Sequence, residues 1–212
     1  MMIRRLLIAA LLSAPLAACQ TAQQPFATMD DDNWYVGSIP DQPHNIPLVD
    51  RRKMDAKYAR QTVEYKGSEK PGSIVVDIDE RMLYLVQPEG KAIRYGVGVG
   101  KQGFSWRGVA SVGRKGVWPA WSPTKTMVGI KPDLPRHMEA GLDNPLGARA
   151  LYLHQNGADT LFRIHGTNEP WSIGEQVSSG CVRMLNEDVA DLYERVPVGT
   201  TVYVKRNGRY RV

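Results

Sequence analysis

Cysteine is nearly absent from this chain: two residues in 212, at positions 19 and 181. At most one bridge is available, which excludes a disulfide-stapled scaffold. Long hydrophobic runs are also missing. The most apolar stretch, residues 6–12, is broken by Ser13 and Pro15 and falls far short of the roughly 20 residues that span a bilayer. No basic block is interleaved with aromatics, which argues against a nucleic-acid groove. Histidine occurs four times, and a zinc set drawn from Cys181, His165 and His154 fits no structural zinc spacing and has no fourth ligand. Internal repeats and low-complexity tracts are absent.

What is present begins at the N-terminus. Met1-Met2-Ile3-Arg4-Arg5 is a short basic region, followed by the apolar run and then Leu16-Ala17-Ala18-Cys19. That order matches a secretory signal peptide. Leu-Ala-Ala-Cys resembles the lipobox of bacterial lipoproteins, which implies cleavage after residue 18, acylation of Cys19 and a chain held to a membrane by its lipid. By resemblance to enterobacterial sorting, Gln20 points to the outer membrane of the periplasm. An ordinary signal peptide with Cys19 unmodified is the plainer alternative, and a Cys19–Cys181 disulfide a second one. Removing Arg4 and Arg5 with the signal leaves 25 basic against 22 acidic side chains, a mild positive charge that selects no partner.

Residues 19–70 read as a tether and N-terminal extension that packs only partly, with prolines at 40, 43 and 47 and a basic trio at 51–53. The pattern changes at Pro71-Gly72. Residues 73–79 and 81–87 form a predicted β-hairpin, and 92–99 alternate as a third strand. Residues 100–129 mix Gly, Pro and Ser with Trp106, Trp118 and Trp121, which predicts a loop-rich binding surface; packing in the core explains Trp118 and Trp121 equally well. Residues 150–154, 160–165 and 200–204 are strand-like. One helix is expected after Asn186 as N-cap, with Glu187 and Asp188 in its first turn and Val189, Leu192, Tyr193 and Val196 on one apolar face. The fold class is therefore mainly β, a sandwich or barrel with one short helix, over residues 71–205; residues 206–212 form a tail.

The chemistry lies between 165 and 183. A thiol attacks carbonyls as thiolate, so a reactive cysteine needs a base or positive charge beside it. His165 ends a strand, and Cys181 ends a glycine-flanked loop that can fold back to it. Gly166 lets the chain turn directly after the base. Gly180 clears space for a substrate backbone, and its amide with that of Cys181 can donate to an oxyanion. Arg183, two residues beyond the thiol, is placed to hold a carboxylate or carbonyl.

His165-Gly166-Thr167-Asn168, then Ser178-Ser179-Gly180-Cys181-Val182-Arg183 and Asn186 before a helix, resembles the signature of the L,D-transpeptidases with a YkuD-type catalytic domain. Residues 74–77, 83–86 and 144–153 are similar to that domain's opening hairpin and to the strand before its His loop, so the likeness spans about residues 71–205. The resemblance implies Cys181 as nucleophile, His165 as base and the Gly166 carbonyl as its orienter. Arg183 and the loop with Ser179 and Gly180 would hold the donor. The implied substrate is a peptidoglycan tetrapeptide stem, attacked at its diaminopimelate carbonyl with loss of D-alanine and resolved by an amine of a second stem or of an envelope protein. It implies no metal and no nucleotide or other cofactor. Many members carry Ser-His-Gly-Cys where this chain has Ser179; serine donates one hydrogen bond but carries no charge, which bears on acceptor choice. A hydrolytic L,D-carboxypeptidase and a non-catalytic wall-binding lipoprotein are the competing readings. His44, His137 and His154 read as structural.

Overall fold

The computed structural model describes residues 34–101, 106–178 and 180–209; the expected signal, Cys19 and Ser179 lie outside them. Thirteen strands run along the chain: β1 (Tyr35–Ile39), β2 (Ile46–Val49), β3 (Gln61–Glu64), β4 (Ile74–Asp77), β5 (Met82–Gln87), β6 (Lys91–Gly96), β7 (Val99–Gly100), β8 (Gly108–Val117), β9 (Arg149–Gln155), β10 (Ala158–His165), β11 (Gln176–Ser178), β12 (Val182–Arg183) and β13 (Thr201–Lys205). Helix α1 is Lys125–Ile130 and α2 is Asn186–Arg195. Nine strands form one sheet in the order β12-β10-β9-β8-β13-β4-β5-β6-β3, with β1-β2 and β11-β7 as separate pairs.

The hairpin predicted from 73–87 is present as β4 and β5, in register from Ile74 opposite Leu85 to Asp77 opposite Met82. Strand β4 is buried at every position and β5 at four of six, so both faces of this part of the sheet are covered, and near-continuous apolar runs result. Leu83 and Tyr95, from one end of the strand order, share a core cluster with Ile164 and Val182 from the other. The sheet therefore rolls onto itself. Gly98, just after β6, exchanges backbone hydrogen bonds with Arg183 of β12 at 2.9 and 2.8 Å, which brings the far end of the sheet round as in a barrel.

Three expectations need correction. The segment 100–129 is not mainly loop, since 108–117 is a ten-residue strand at the centre of the sheet. Its glycines hide it from pattern reading, yet one has a packing reason: a Cβ on Gly113 would lie 2.3 Å from the His154 ring. The same region adds the short helix α1, capped by Thr124 through the Met127 amide at 3.2 Å, so the helix after Cys181 is not the only one. Asn186 is not the N-cap of α2; Leu185 takes that position without a side-chain bond, and Asn186 is used elsewhere. The expected apolar face is there, with Val189 and Leu192 fully buried.

Residues 34–64 are more tightly held than a partly packed extension. Strands β1 and β2 form a hairpin, and β3 extends the main sheet beside β6. Asp41 accepts from Trp118 Nε1 at 2.7 Å and takes both Arg149 Nη atoms at 2.7 and 2.8 Å. Arg51 reaches Asp188 at 2.9 Å and Glu187 at 3.2 Å. These contacts strap the segment over α2 and the start of β9, across sequence separations that no local pattern reports.

Candidate active site

His165 is the last residue of β10, in register with Arg183 on the parallel strand β12. Their neighbours Ile164 and Val182 are core residues, 0% and 6% exposed. Side chains alternate along a strand, so His165 and Arg183 share the opposite face. The imidazole is itself buried, and its Nδ1 lies 2.6 Å from the Gly166 carbonyl oxygen. A carbonyl only accepts, so Nδ1 carries the proton and Nε2 keeps its lone pair. Burial drives the His165 pKa down to about 3, assisted by the positive charge of Arg183 and opposed by the Gly166 bond. At neutral pH the ring is an uncharged acceptor.

The turn after His165 is held from α2. Asn186 Oδ1 accepts from the Ala148 amide at 2.9 Å and the Thr167 amide at 3.2 Å, and Nδ2 donates to the Thr167 carbonyl at 2.9 Å. This carboxamide passes so close to the backbone that a Cβ on Gly166 would sit 2.2 Å from its oxygen. Gly147, on the other side with φ +62°, would bring a Cβ to 2.1 Å. Glycine is required at both positions.

Cys181 sits between β11 and β12, partly buried, with Sγ 4.0 Å from the Leu161 carbonyl oxygen. Gly180 before it has φ +128°, a conformation that favours glycine. Burial pushes the thiol pKa up, against the lowering effect of a backbone hydrogen bond from the Arg163 position and the charges of Arg163 and Arg183. Burial thus holds both the thiol and the imidazole in their uncharged forms at rest.

Cys181, His165 and Arg183 line one cavity of about 610 Å³, within the usual range for ligand pockets. Trp121, Met127 and Leu146 from the β8–β9 connection also line it, as does Phe162, so Trp121 is both largely buried and a cavity residue. Trp118 is a core residue. Trp106 stacks on Phe162 at 5.9 Å. Arg183 does not wait unoccupied: Glu169, from the connecting loop, is ion-paired to it. Sequence reading named neither Glu169 nor the role of Asn186; both act through contacts 14 or more residues apart. His154 is outside the cavity lining, His137 bonds Ser122 and Glu139, and His44 packs edge-on to Trp118 at 5.2 Å.

A model of the L,D-transpeptidase catalytic domain, YkuD, matches residues 71–204. Among curated proteins the chain is similar to the probable L,D-transpeptidase ErfK/SrfK of Escherichia coli K12, 36% identical over 140 residues, 62% of this chain and 43% of that protein. The probable L,D-transpeptidase YbiS of the same organism is 37% identical over 139 residues with the same coverage. The matched part thus spans less than half the length of these relatives. A solved structure from Brucella melitensis, described as a probable carnitine operon oxidoreductase, is 48% identical, covering 71% of this chain and 95% of its own, with a TM-score of 0.49; that description belongs to that protein alone. The family match takes in the strand of His165, the loop of Cys181 and the helix of Asn186, and the chain belongs to the L,D-transpeptidase catalytic-domain (YkuD) family.

Proposed function

We propose that the protein is a peptidoglycan L,D-transpeptidase with Cys181 as nucleophile and His165 as general base. The observation that carries this reading is a buried, neutral imidazole, tied at Nδ1 to the Gly166 carbonyl, lining the same cavity as the thiol. As Sγ bonds to the diaminopimelate carbonyl carbon of a tetrapeptide stem, its proton passes to His165 Nε2 and the carbonyl oxygen becomes an oxyanion within reach of the Gly180 and Cys181 amides. Collapse breaks the bond to D-alanine, whose amine takes the proton from His165. A thioester remains. An acceptor amine then attacks, giving its proton to His165 and expelling the thiolate, which is reprotonated.

The acceptor is an amine of a second stem, giving a 3→3 cross-link, or of an envelope protein; water instead of amine would make the enzyme an L,D-carboxypeptidase. A non-catalytic wall-binding role has no use for a thiol that shares a cavity with a buried base. The decisive assay incubates the protein with defined tetrapeptide muropeptides and identifies products by mass, with Cys181→Ala alongside. Loss of all turnover in a folded Cys181→Ala protein is expected, and retained cross-linking sinks the mechanism. We further propose that Cys19 is acylated and holds the protein in the periplasm, at the outer membrane. A Cys19→Ser protein that still partitions with membranes refutes that anchor.

A further inference from the structure

The face of the sheet that carries His165 and Arg183 carries two more arginines. Arg163 lies two residues before His165 on β10 and therefore on the same face. It is in register with Tyr152 of β9, and Tyr152 is in register with Arg114 of β8. The two guanidinium groups lie over the Tyr152 ring, Arg114 at 3.5 Å and Arg163 at 4.8 Å from its centroid. With the strand order β12-β10-β9-β8, Arg183 lies beside His165, and the row Arg163, Tyr152, Arg114 crosses the sheet two residues further along β10. All five side chains line the cavity with Cys181, and among the described residues no Asp or Glu does. Its wall is cationic, and the ligand it suits is an anion.

The three arginines are not equivalent. Arg183 is taken up by Glu169. Arg163 has a looser pair, Asp159 at 3.2 Å, and its Nη1 is buried with no hydrogen-bond partner among the described residues. A buried donor left unmade destabilises a structure unless something else supplies the acceptor. Stacking on Tyr152 holds the guanidinium plane in place, as planar carboxylate recognition requires. The thiol contacts the carbonyl of Leu161, two residues from Arg163 on the same strand. An anion held by Arg163 is therefore close to the bond under attack.

We propose that Arg163, braced on Tyr152 with Arg114 behind it, forms a carboxylate subsite that binds the C-terminal carboxylate of the departing residue of the acyl donor. This rests on the transpeptidase reading and adds to it a specificity residue distinct from Arg183. The terminal carboxylate lies one residue beyond the attacked carbonyl, about 3.8 Å along the chain, whereas the second carboxylate of diaminopimelate is separated from it by a whole side chain.

The test compares two synthetic donors on the full chain: the tetrapeptide L-alanyl-γ-D-glutamyl-meso-diaminopimelyl-D-alanine with a free C-terminus, and the same peptide ending in D-alaninamide. Release of D-alanine or D-alaninamide gives kcat and KM, and the mass of the Cys181 adduct reports acylation. In the wild type, amidation raises KM by roughly 10- to 100-fold with kcat little changed, the signature of lost carboxylate binding. Arg163→Gln has a free-acid KM near that of the wild type on the amide and no longer distinguishes the donors; Arg163→Lys is intermediate. Equal handling of both donors by the wild type overturns the subsite, and so does full discrimination by Arg163→Gln. The wild-type comparison needs no variant to fold. Absence of any Cys181 adduct from either peptide overturns the transpeptidase reading and the subsite with it, whereas turnover blind to the terminal carboxylate overturns the subsite alone.

Discussion

Replacing Asn186 with alanine tests whether the turn after His165 is held from α2. The carboxamide makes three hydrogen bonds: two accepted from the Ala148 and Thr167 amides and one given to the Thr167 carbonyl, at 2.9 to 3.2 Å. Asn186, Ala148 and Thr167 are all buried, at 6%, 0% and 2% exposure. Truncation strands two N–H groups and one carbonyl, each worth about 1–3 kcal/mol when left unsatisfied. A water admitted into the vacated volume recovers part of that, so the expected loss is about 3–5 kcal/mol, a large share of the 5–15 kcal/mol typical of a domain. Asn186→Asp keeps both accepting interactions but turns an oxygen toward the Thr167 carbonyl, and should fall between. Urea unfolding followed by circular dichroism measures the loss, provided the slope with denaturant is unchanged. Acylation of Cys181 should fall in parallel under folding conditions, because the Gly166 carbonyl that orients His165 belongs to the same turn. A stability loss below about 1 kcal/mol for Asn186→Ala, with normal acylation, would refute the argument that this side chain sets the site.

Other consequences are checked more briefly. The folded pKa of His165, about 3, lies below the unfolded value near 6.5, so the unfolded chain takes up a proton first as pH falls. The His165 contribution is therefore fully present above pH 6.5 and lost towards pH 3, with a slope of about 1.4 kcal/mol per pH unit and a total of about 4–5 kcal/mol. Unfolding of His165→Gln between pH 4 and 6.5 should be flatter than wild type by that slope, and parallel profiles would contradict it. Alkylation of Cys181 by iodoacetamide should climb steadily with alkaline pH, because burial raises the thiol pKa; a step near pH 6–7 would reveal a preformed thiolate–imidazolium pair. Arg51→Met leaves Asp188, 0% exposed, without its closest partner. The loss should be about 2–4 kcal/mol, below the full figure for a broken buried pair because Arg51 is 36% exposed and Arg60 remains 3.8 Å away. Adding Asp188→Asn should restore much of it in a double-mutant cycle, and simple additivity would show that the pair is not coupled.

Sequence alone singled out Cys181 and His165, because they stand in a loop-and-strand context that survives as a linear motif and the fold brings both to one cavity, and it located β4, β5, β6, β9, β10, β13 and the apolar face of α2, because each follows a short period. It missed β8, whose glycines and small residues erase alternation while making room for His154. It assigned Asn186 to a cap, since the residue type and position fit that local rule. The fold instead turns its amide inward to hold the chain around Gly147 and Gly166.

The order of residues thus determined which groups were candidates for chemistry, through the spacing from His165 to Cys181 and the glycines beside each. Tertiary structure decided the surroundings and charge state of those groups. The neutral imidazole is a product of burial and of Arg183 brought alongside by parallel pairing of β12 with β10. The strap of residues 34–64 over α2, the Arg183–Glu169 pair and the Arg114–Tyr152–Arg163 stack were also settled there. Local periodicity reports neighbours two to four residues apart, whereas desolvation, ion pairing and stacking depend on strands that meet only when the sheet closes.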